Sequence, residues 1–536
     1  VADTAAAYNP HPMAAAHVRD VLLAPALTPS VAAELLAPYG FRDPGAADRN
    51  LQSIAQDPVA RGLLAEILPE LLAALADSVD PDAALNHLER FVRSGGGAQA
   101  LLGHLRADPR TIEVLARAFG ASGFMAEILI RNPAWFYWLV DPAVLGRSRT
   151  RAEIGSDLDH ALSSLHSEAR RRDVLRTTRR REILQIGVRD LLRLAPVDQT
   201  LGALSALAGA LIEKACAVSE AGLREERGLA LPDPGARPPA FAVLGMGKLG
   251  GDELNFSSDV DLVYVHGDDE GASGPASPYD AAFYEALAQR VTAALSELTP
   301  EGYVYRVDLR LRPEGRVGPL APSLSACAEY YEARGATWER LALLRAWPVA
   351  GDQELGRRFV ERVRPFVYGP FGREALADLR RVKIESDRRV AGRDETHRNV
   401  KLGLGGIREI ELVAQALAVR HGSQDPALRV RNTKDALHAL RGKGLVSAEE
   451  HWALDAAYVF LRDVENKLQM AADAQTHSLP QSPEALRRCG RSLGYRDKDG
   501  VDPGEALMRD YRAHTEATHR VFEAVFEGPR LVEAGK

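Results

Sequence analysis

Between Phe241 and His266 the chain runs FAVLGMGKLGGDELNFSSDVDLVYVH: a short apolar run, a turn rich in glycine, and a second apolar run. This reads as strand, turn, strand, with strands at Phe241–Leu244 and Asp259–His266. Side chains two apart on a strand share a face. Asp259 and Asp261 therefore point the same way, beside a loop able to approach phosphate. Any fold for this chain must build a β-element at this point.

The rest is mostly helical in character. At 536 residues several domains are expected. Ala, Leu, Arg and Glu dominate, which favours helix. From about residue 10 to 228 apolar positions recur at three and four, broken at Asp57-Pro58, Gly95-Gly96-Gly97, Asp108-Pro109, Asn132-Pro133 and Asp141-Pro142. No fixed-period repeat indicates a solenoid. The stretch LALPDPGARPPAF from Leu229 is a Pro/Gly linker. After the two strands come a polar loop over 267–280, a helix over about 281–298, and an alternating strand over Tyr303–Leu311. From about 373 the pattern is helical again, interrupted by VKLGLGGIREIEL at Val400–Leu412. The expected architecture is α+β and mostly helical. It comprises an N-terminal helical region over 1–228, a mixed-sheet domain over 229–372 and a C-terminal helical bundle over 373–536.

The net charge of −7 gives no global pull toward DNA, RNA or an anionic membrane. Cys216, Cys327 and Cys489 lie far apart, without zinc or disulfide spacing, as in a reducing cytoplasm. The N-terminus VADTAAAYNPHP has no signal-peptide pattern. The apolar stretch LLAEILPELLAALA from Leu63 carries Glu66, Pro69 and Glu70, and is too short and polar to span a bilayer.

Gly245 to Gly250 match GxGxxG, but only about eight residues separate them from the next strand, too few for a dinucleotide-binding crossover helix. No P-loop pattern occurs. The carboxylates are more telling. Asp308 occupies the polar face of the later strand, and if the two strands are neighbours three acids converge. Unit charges about 4 Å apart repel by about 4 kcal/mol at an effective dielectric near 20. Such a trio calls for a cation, and hard oxygen donors with open positions suit Mg²⁺ shared with substrate phosphates. Two such ions can clamp the attacking and leaving oxygens of an in-line displacement. The plain alternative is strand-end acids in caps and surface ion pairs. Arg306, Arg310 and Arg312 flank Asp308 and suit a phosphate-bearing ligand, or else form a salt-bridge ladder. Lys248 in the glycine turn either neutralises phosphate or is an exposed turn residue.

Other signals are weaker. RRRDVLRTTRRR over Arg170–Arg181 reads first as a solvated helix face, second as an anionic-partner site. His266 and His477 lack metal-ligand spacing, and no GxSxG offers an acyl-transfer nucleophile. Glu409, Glu411 and Gln415, with Arg408, follow a glycine turn and fit either a ligand-facing helix start or a helix cap.

Taken together, GMGKLGGDELNFSSDVDLVYVH, YRVDLRLRPEGRVGPL, WERLALLRAWPVAGD and VKLGLGGIREIEL resemble the glutamine synthetase adenylyltransferase family, over nearly the whole chain. That family adds and removes AMP on a tyrosine of glutamine synthetase. The resemblance implies a polymerase-β-like nucleotidyltransferase fold between helical domains. It implies Asp259, Asp261 and Asp308 as Mg²⁺-binding acids, and Gly250, Gly251 and Ser258 as the phosphate turn. Family members carry two such units; this chain has one. GMGKLGG, GGIREIE and QTHSLP (Gln475–Pro480) are similar to the N-terminal, adenylyl-removing unit. Leu412 stands where the family often has Phe, a conservative departure.

The implied reaction is phosphorolysis of the AMP–tyrosine bond, giving ADP and free tyrosine. Metals and arginines screen the repulsion between two anions. The phenol, with a pKa near 10, leaves without an obvious general acid. Two alternatives stay open: forward transfer of AMP from ATP, and a regulatory module sensing nucleotide without turnover. The resemblance also implies contact with the signalling protein PII.

Overall fold

Both apolar runs at the centre form strands: β1, Phe241–Gly245, and β2, Val260–His266. They join two further strands, β3 (Val307–Asp308) and β4 (Trp347–Gly351), in a sheet of order β3-β2-β1-β4. β1 runs antiparallel to β2, with Phe241 opposite His266 and Gly245 opposite Leu262, and antiparallel to β4 with a bulge at Val243/Leu244. β2 and β3 are parallel, so the sheet is mixed. The computed structural model describes residues 18–25, 27–95, 97–229, 240–268, 279–391, 396–472 and 474–531. The N-terminal stretch to residue 17, most of the Pro/Gly linker and most of the polar loop lie outside the described residues.

The sheet is buried on both faces, which is why its strands read as unbroken apolar runs. Phe241, Val243, Leu262 and Tyr264 join an apolar core built with the N-terminal helices. Their alternates Ala242, Leu244, Val263 and Val265 join a second core built with the C-terminal helices. Asp261 alternates with Val263 and Val265, so it belongs to the face covered by the C-terminal region.

The Asp-Pro breaks are helix starts. Asp57 accepts the N–H groups of Val59 and Ala60 ahead of Pro58–Asp77, and Asp80 accepts that of Ala83 ahead of Pro81–Ser94. Proline at the first helical position loses no hydrogen bond, and the acid satisfies free donors. Among the helices that build these two cores are α1 (Glu168–Leu191), α2 (Val197–Glu226), α3 (Ala281–Ser296), α4 (Ile407–His421), α5 (Thr433–Gly442), α6 (Ala448–Ala472) and α7 (Pro503–Phe526). By length and composition α2 is apolar enough to cross a membrane, but 72% of its most apolar window is buried inside the fold.

Three expectations change. The strand over Tyr303–Leu311 shrinks to Val307–Asp308, because the Asp308 carboxylate accepts the N–H of Arg310 at 2.9 Å and turns the chain. Strand β4 was not anticipated from sequence. The arginine run on α1 is partly internal: Arg176 is 1% exposed and donates to the carbonyls of Gly302 (2.8 Å) and Glu297 (2.9 Å). Those arginines hold the turn leading into β3.

Candidate active site

The glycine turn is shaped by what crowds it. Gly247 has φ +53°, and a Cβ there would lie 2.6 Å from Oδ2 of Asp261. The turn therefore passes directly against that carboxylate, which a side chain would displace. The Met246 N–H donates to the Asp261 carbonyl at 2.9 Å, fixing turn to strand. A methyl at Gly250 would overlap the carbonyl oxygen of Arg345.

From this turn the chain crosses 251–258 before entering β2, and α6 grips that crossing. Arg462, fully buried, donates to the Glu253 carbonyl and to Asn255 Oδ1. Asn466 Oδ1 accepts the Phe256 N–H at 3.1 Å, and Gln469 Oε1 accepts the Ser257 N–H at 3.0 Å. Glu253 is in turn held by the Thr433 N–H and hydroxyl at the start of α5. Arg345 links it to Glu411 of α4, at 3.5 Å and 3.1 Å respectively. The approach to Asp259 and Asp261 is thus anchored by polar groups from three C-terminal helices.

Asp261 and Asp308 are register partners on the parallel pair β2–β3, with side chains on one face about 4.8 Å apart between strands. Burial and the neighbouring Asp308 and Asp259 push the Asp261 carboxyl up to about 6, against the pull of Lys401 and Lys248. Asp308 moves the other way: Arg310 hydrogen bonds hold it below the usual carboxylate range. Arg310 covers Asp308 from solvent, its Nε 2.8 Å from Oδ2. Arg306 draws Asp259 aside, Nε to Oδ1 at 2.6 Å, while also donating to the Ser257 carbonyl and the Tyr303 hydroxyl.

Among the described residues no three acids, histidines or cysteines are gathered ready to hold a metal ion, and arginines occupy two of the three aspartates. The donors still fit Mg²⁺. Two carboxylates in register, one raised by burial and by the acid beside it, suit a hard cation that usually takes one or two carboxylates plus phosphate oxygens. Arg310 has a side chain 63% exposed and can leave Asp308.

The other expected residues fall differently. Lys248 is mostly enclosed rather than exposed, its side chain 12% accessible, and donates to Glu465 of α6 at 2.9 Å. Arg312 turns into its own loop, donating to the carbonyls of Leu309 (2.8 Å), Gly318 (3.0 Å) and Pro319 (3.1 Å), so it does not share a ligand-facing side with Arg306 and Arg310. Gly250 and Gly251 use their N–H groups on the Met246 and Gly247 carbonyls. Their own carbonyls accept from Arg431 and Asn432. Packing, more than a free N–H cradle, accounts for these glycines. Ser258 is buried next to Asp259. His266 stacks on Tyr284 with ring centroids 4.4 Å apart.

Sequence reasoning missed Arg345, Lys401, Arg462 and Glu465. The one available signal was polar residues on a buried helix face: Arg462, Glu465, Asn466 and Gln469 recur at three and four within α6. Glu411 and Glu409 fit, by sequence, either a ligand-facing helix start or a helix cap. Instead Glu411 pairs with Arg345, and Glu409 pairs with Lys383 (2.9 Å) and His519 (3.0 Å).

A small mixed sheet opening strand, glycine turn, strand, with helices over both faces, is the polymerase-β-like nucleotidyltransferase fold. Residues 112–362 match the family described as glutamate-ammonia ligase adenylyltransferase. Residues 379–526 match the one described as GlnD PII-uridylyltransferase. The bifunctional glutamine synthetase adenylyltransferase/adenylyl-removing enzyme of Thioalkalivibrio sulfidiphilus is 39% identical over 425 residues, 78% of this chain and 42% of that protein. The enzyme of the same name from Streptomyces coelicolor is 37% identical over 506 residues, 92% of this chain and 47% of that protein. The chain belongs to the glutamine synthetase adenylyltransferase family of nucleotidyltransferases. It spans less than half the length of these curated relatives.

Proposed function

We propose that this chain removes AMP from the modified tyrosine of glutamine synthetase by phosphorolysis. The observation that carries the reading is the register pairing of Asp261 with Asp308, against which the glycine turn is pressed. Asp261 and Asp308, with Asp259 once Arg306 yields it, are the residues that would hold Mg²⁺, as one ion or two. The bound cation would supply charge neutralisation at the transferring phosphoryl group. An oxygen of orthophosphate attacks the AMP phosphorus and the phosphorus–tyrosine oxygen bond breaks. ADP leaves, and the phenolate takes a proton from water. Arg306 and Arg310, displaced from their aspartates, are placed to take phosphate oxygens, and Ser258 borders the same corner. The similarity of GGIREIE and QTHSLP to the adenylyl-removing unit favours this direction over transfer from ATP.

The three-part division at 228/229 and 372/373 belongs to the same proposal, as does a cytoplasmic setting, which suits three free, buried cysteines. Contact with PII is proposed for the C-terminal region, on the match over 379–526. The test incubates the chain and Mg²⁺ with AMP-modified glutamine synthetase and orthophosphate, and in parallel with unmodified enzyme and labelled ATP. ADP release in the first arm supports the reading. Label transfer in the second arm alone assigns the forward direction instead. Asp261→Asn is expected to lower ADP release by about 10²–10³-fold.

A further inference from the structure

A cleft of about 630 Å³ opens between the loop at 396–406 and helix α7, and none of the three aspartates lines it. Its charged lining is mainly basic. Arg398 and His397 come from the loop, and Arg512, His519 and Arg520 from α7, with Glu516 the one acid among the described residues. Arg512 and Arg520 are exposed. Tyr511 lines it too, 2% exposed, and its buried hydroxyl has no hydrogen-bond partner among the described residues. A buried phenol usually finds one, and leaving it unmet costs about 1–3 kcal/mol. The walls are set before any ligand arrives. Gly405, φ +67°, lets the loop press onto the Thr515 carbonyl, where any side chain would overlap. Arg398 keeps one N–H on the Pro480 carbonyl at 2.6 Å, and His519 is oriented by Glu409 at 3.0 Å. A concave, preformed site with few convergent polar groups is the form of a small-molecule pocket, and guanidinium forks match carboxylate and phosphate oxygens.

We infer that this cleft binds a small organic polyanion bearing carboxylate or phosphate groups, held by Arg512, Arg520 and Arg398 with the Tyr511 hydroxyl donating to it. Nothing in the phosphorolysis reading requires such a site. The test is calorimetric titration of the full chain in EDTA, without nucleotide, using citrate in one arm and inorganic phosphate in the other. Saturable one-to-one binding is expected in at least one arm, which also identifies the anionic group. Arg512→Glu/Arg520→Glu is expected to weaken it by at least about 10-fold. Tyr511→Phe is expected to weaken it several-fold while leaving the Tm of the free protein unchanged or higher, because the hydroxyl it removes is unpaired. Asp261→Asn/Asp308→Asn is expected to bind as the wild type does. Failure of both anions to bind overturns the inference. So does equal binding by the arginine double variant, or loss of binding in the aspartate variant, which would place the anion at the strand pair instead.

Discussion

Lys248 of the glycine turn donates to Glu465 of α6 at 2.9 Å, the lysine side chain 12% exposed and the glutamate 0%. The same carboxylate oxygen lies 2.9 Å from His477 Nδ1. Burial drives the Lys248 ammonium down to about 7 despite the carboxylate beside it. Burial also opposes the charge on Glu465, but Lys248, His477 and Arg462 outweigh it and hold the acid well below its usual value. The turn beneath Asp261 is therefore tied by an ion pair to a helix more than two hundred residues away.

Breaking a buried pair from one side leaves a charge with no partner, which is worse than replacing both. Lys248→Met is expected to cost about 3–5 kcal/mol. Adding Glu465→Gln should recover much of that loss without restoring activity. Denaturant unfolding of the single and double variants checks it, and equal midpoints for the two would show that the pair is not coupled.

The raised Asp261 carboxyl gives stability a definite pH slope. Its folded-state pKa of about 6 lies above the ordinary 3.8, so between about pH 4 and 6 the folded state holds more protons than the unfolded one. Stability from this group is present at low pH and lost as pH rises through 6, by about 3 kcal/mol at most. In EDTA, Asp261→Asn is expected to be increasingly more stable than wild type from pH 4 to 6, with a constant difference above 7. Mg²⁺ should narrow the gap at pH 7. Thermal unfolding at four or five pH values measures it, and parallel curves for the two proteins would contradict the strained-carboxylate account.

The two adjacent glycines should respond unequally. A methyl at Gly250 overlaps the Arg345 carbonyl, whereas one at Gly251 stands 3.3 Å from its nearest neighbour, the Arg431 carbonyl. Gly250→Ala is expected to cost more than about 3 kcal/mol and Gly251→Ala about 1 kcal/mol. Comparing their Tm values and soluble yields decides whether close packing explains these positions.

Arg462 is expected to act through the loop it holds. Arg462→Met leaves the Glu253 carbonyl and Asn255 without their donor, at a cost of about 3 kcal/mol. Hydrogen exchange should quicken first over residues 253–258 and at the start of β2. Activity should fall in line with that local opening, and unchanged exchange there would show that the clamp is unnecessary.

Much of this was legible along the chain because it depends on near neighbours. Asp-Pro steps start helices since the acid and the ring act within one turn. The central strands announce themselves because burial on both faces demands unbroken apolar residues. Tyr303–Leu311 misled for a local reason too: its alternation is real, but one side-chain bond from Asp308 to the Arg310 N–H bends the chain after two paired residues.

The sequence by itself determined the chemistry available: two aspartates on one strand face beside a glycine turn, a third acid among arginines, and helices before and after. Tertiary structure alone decided which of those groups meet. It set Asp261 against Asp308, turned Arg312 away, packed Lys248 on Glu465, brought Arg462 to a loop far back in the chain, and set Lys401 within electrostatic reach of Asp261. Local rules reach only a few residues, whereas desolvation and charge pairing depend on distances in space. Residues hundreds of positions apart acquire those distances only when the sheet is enclosed between its two helical cores.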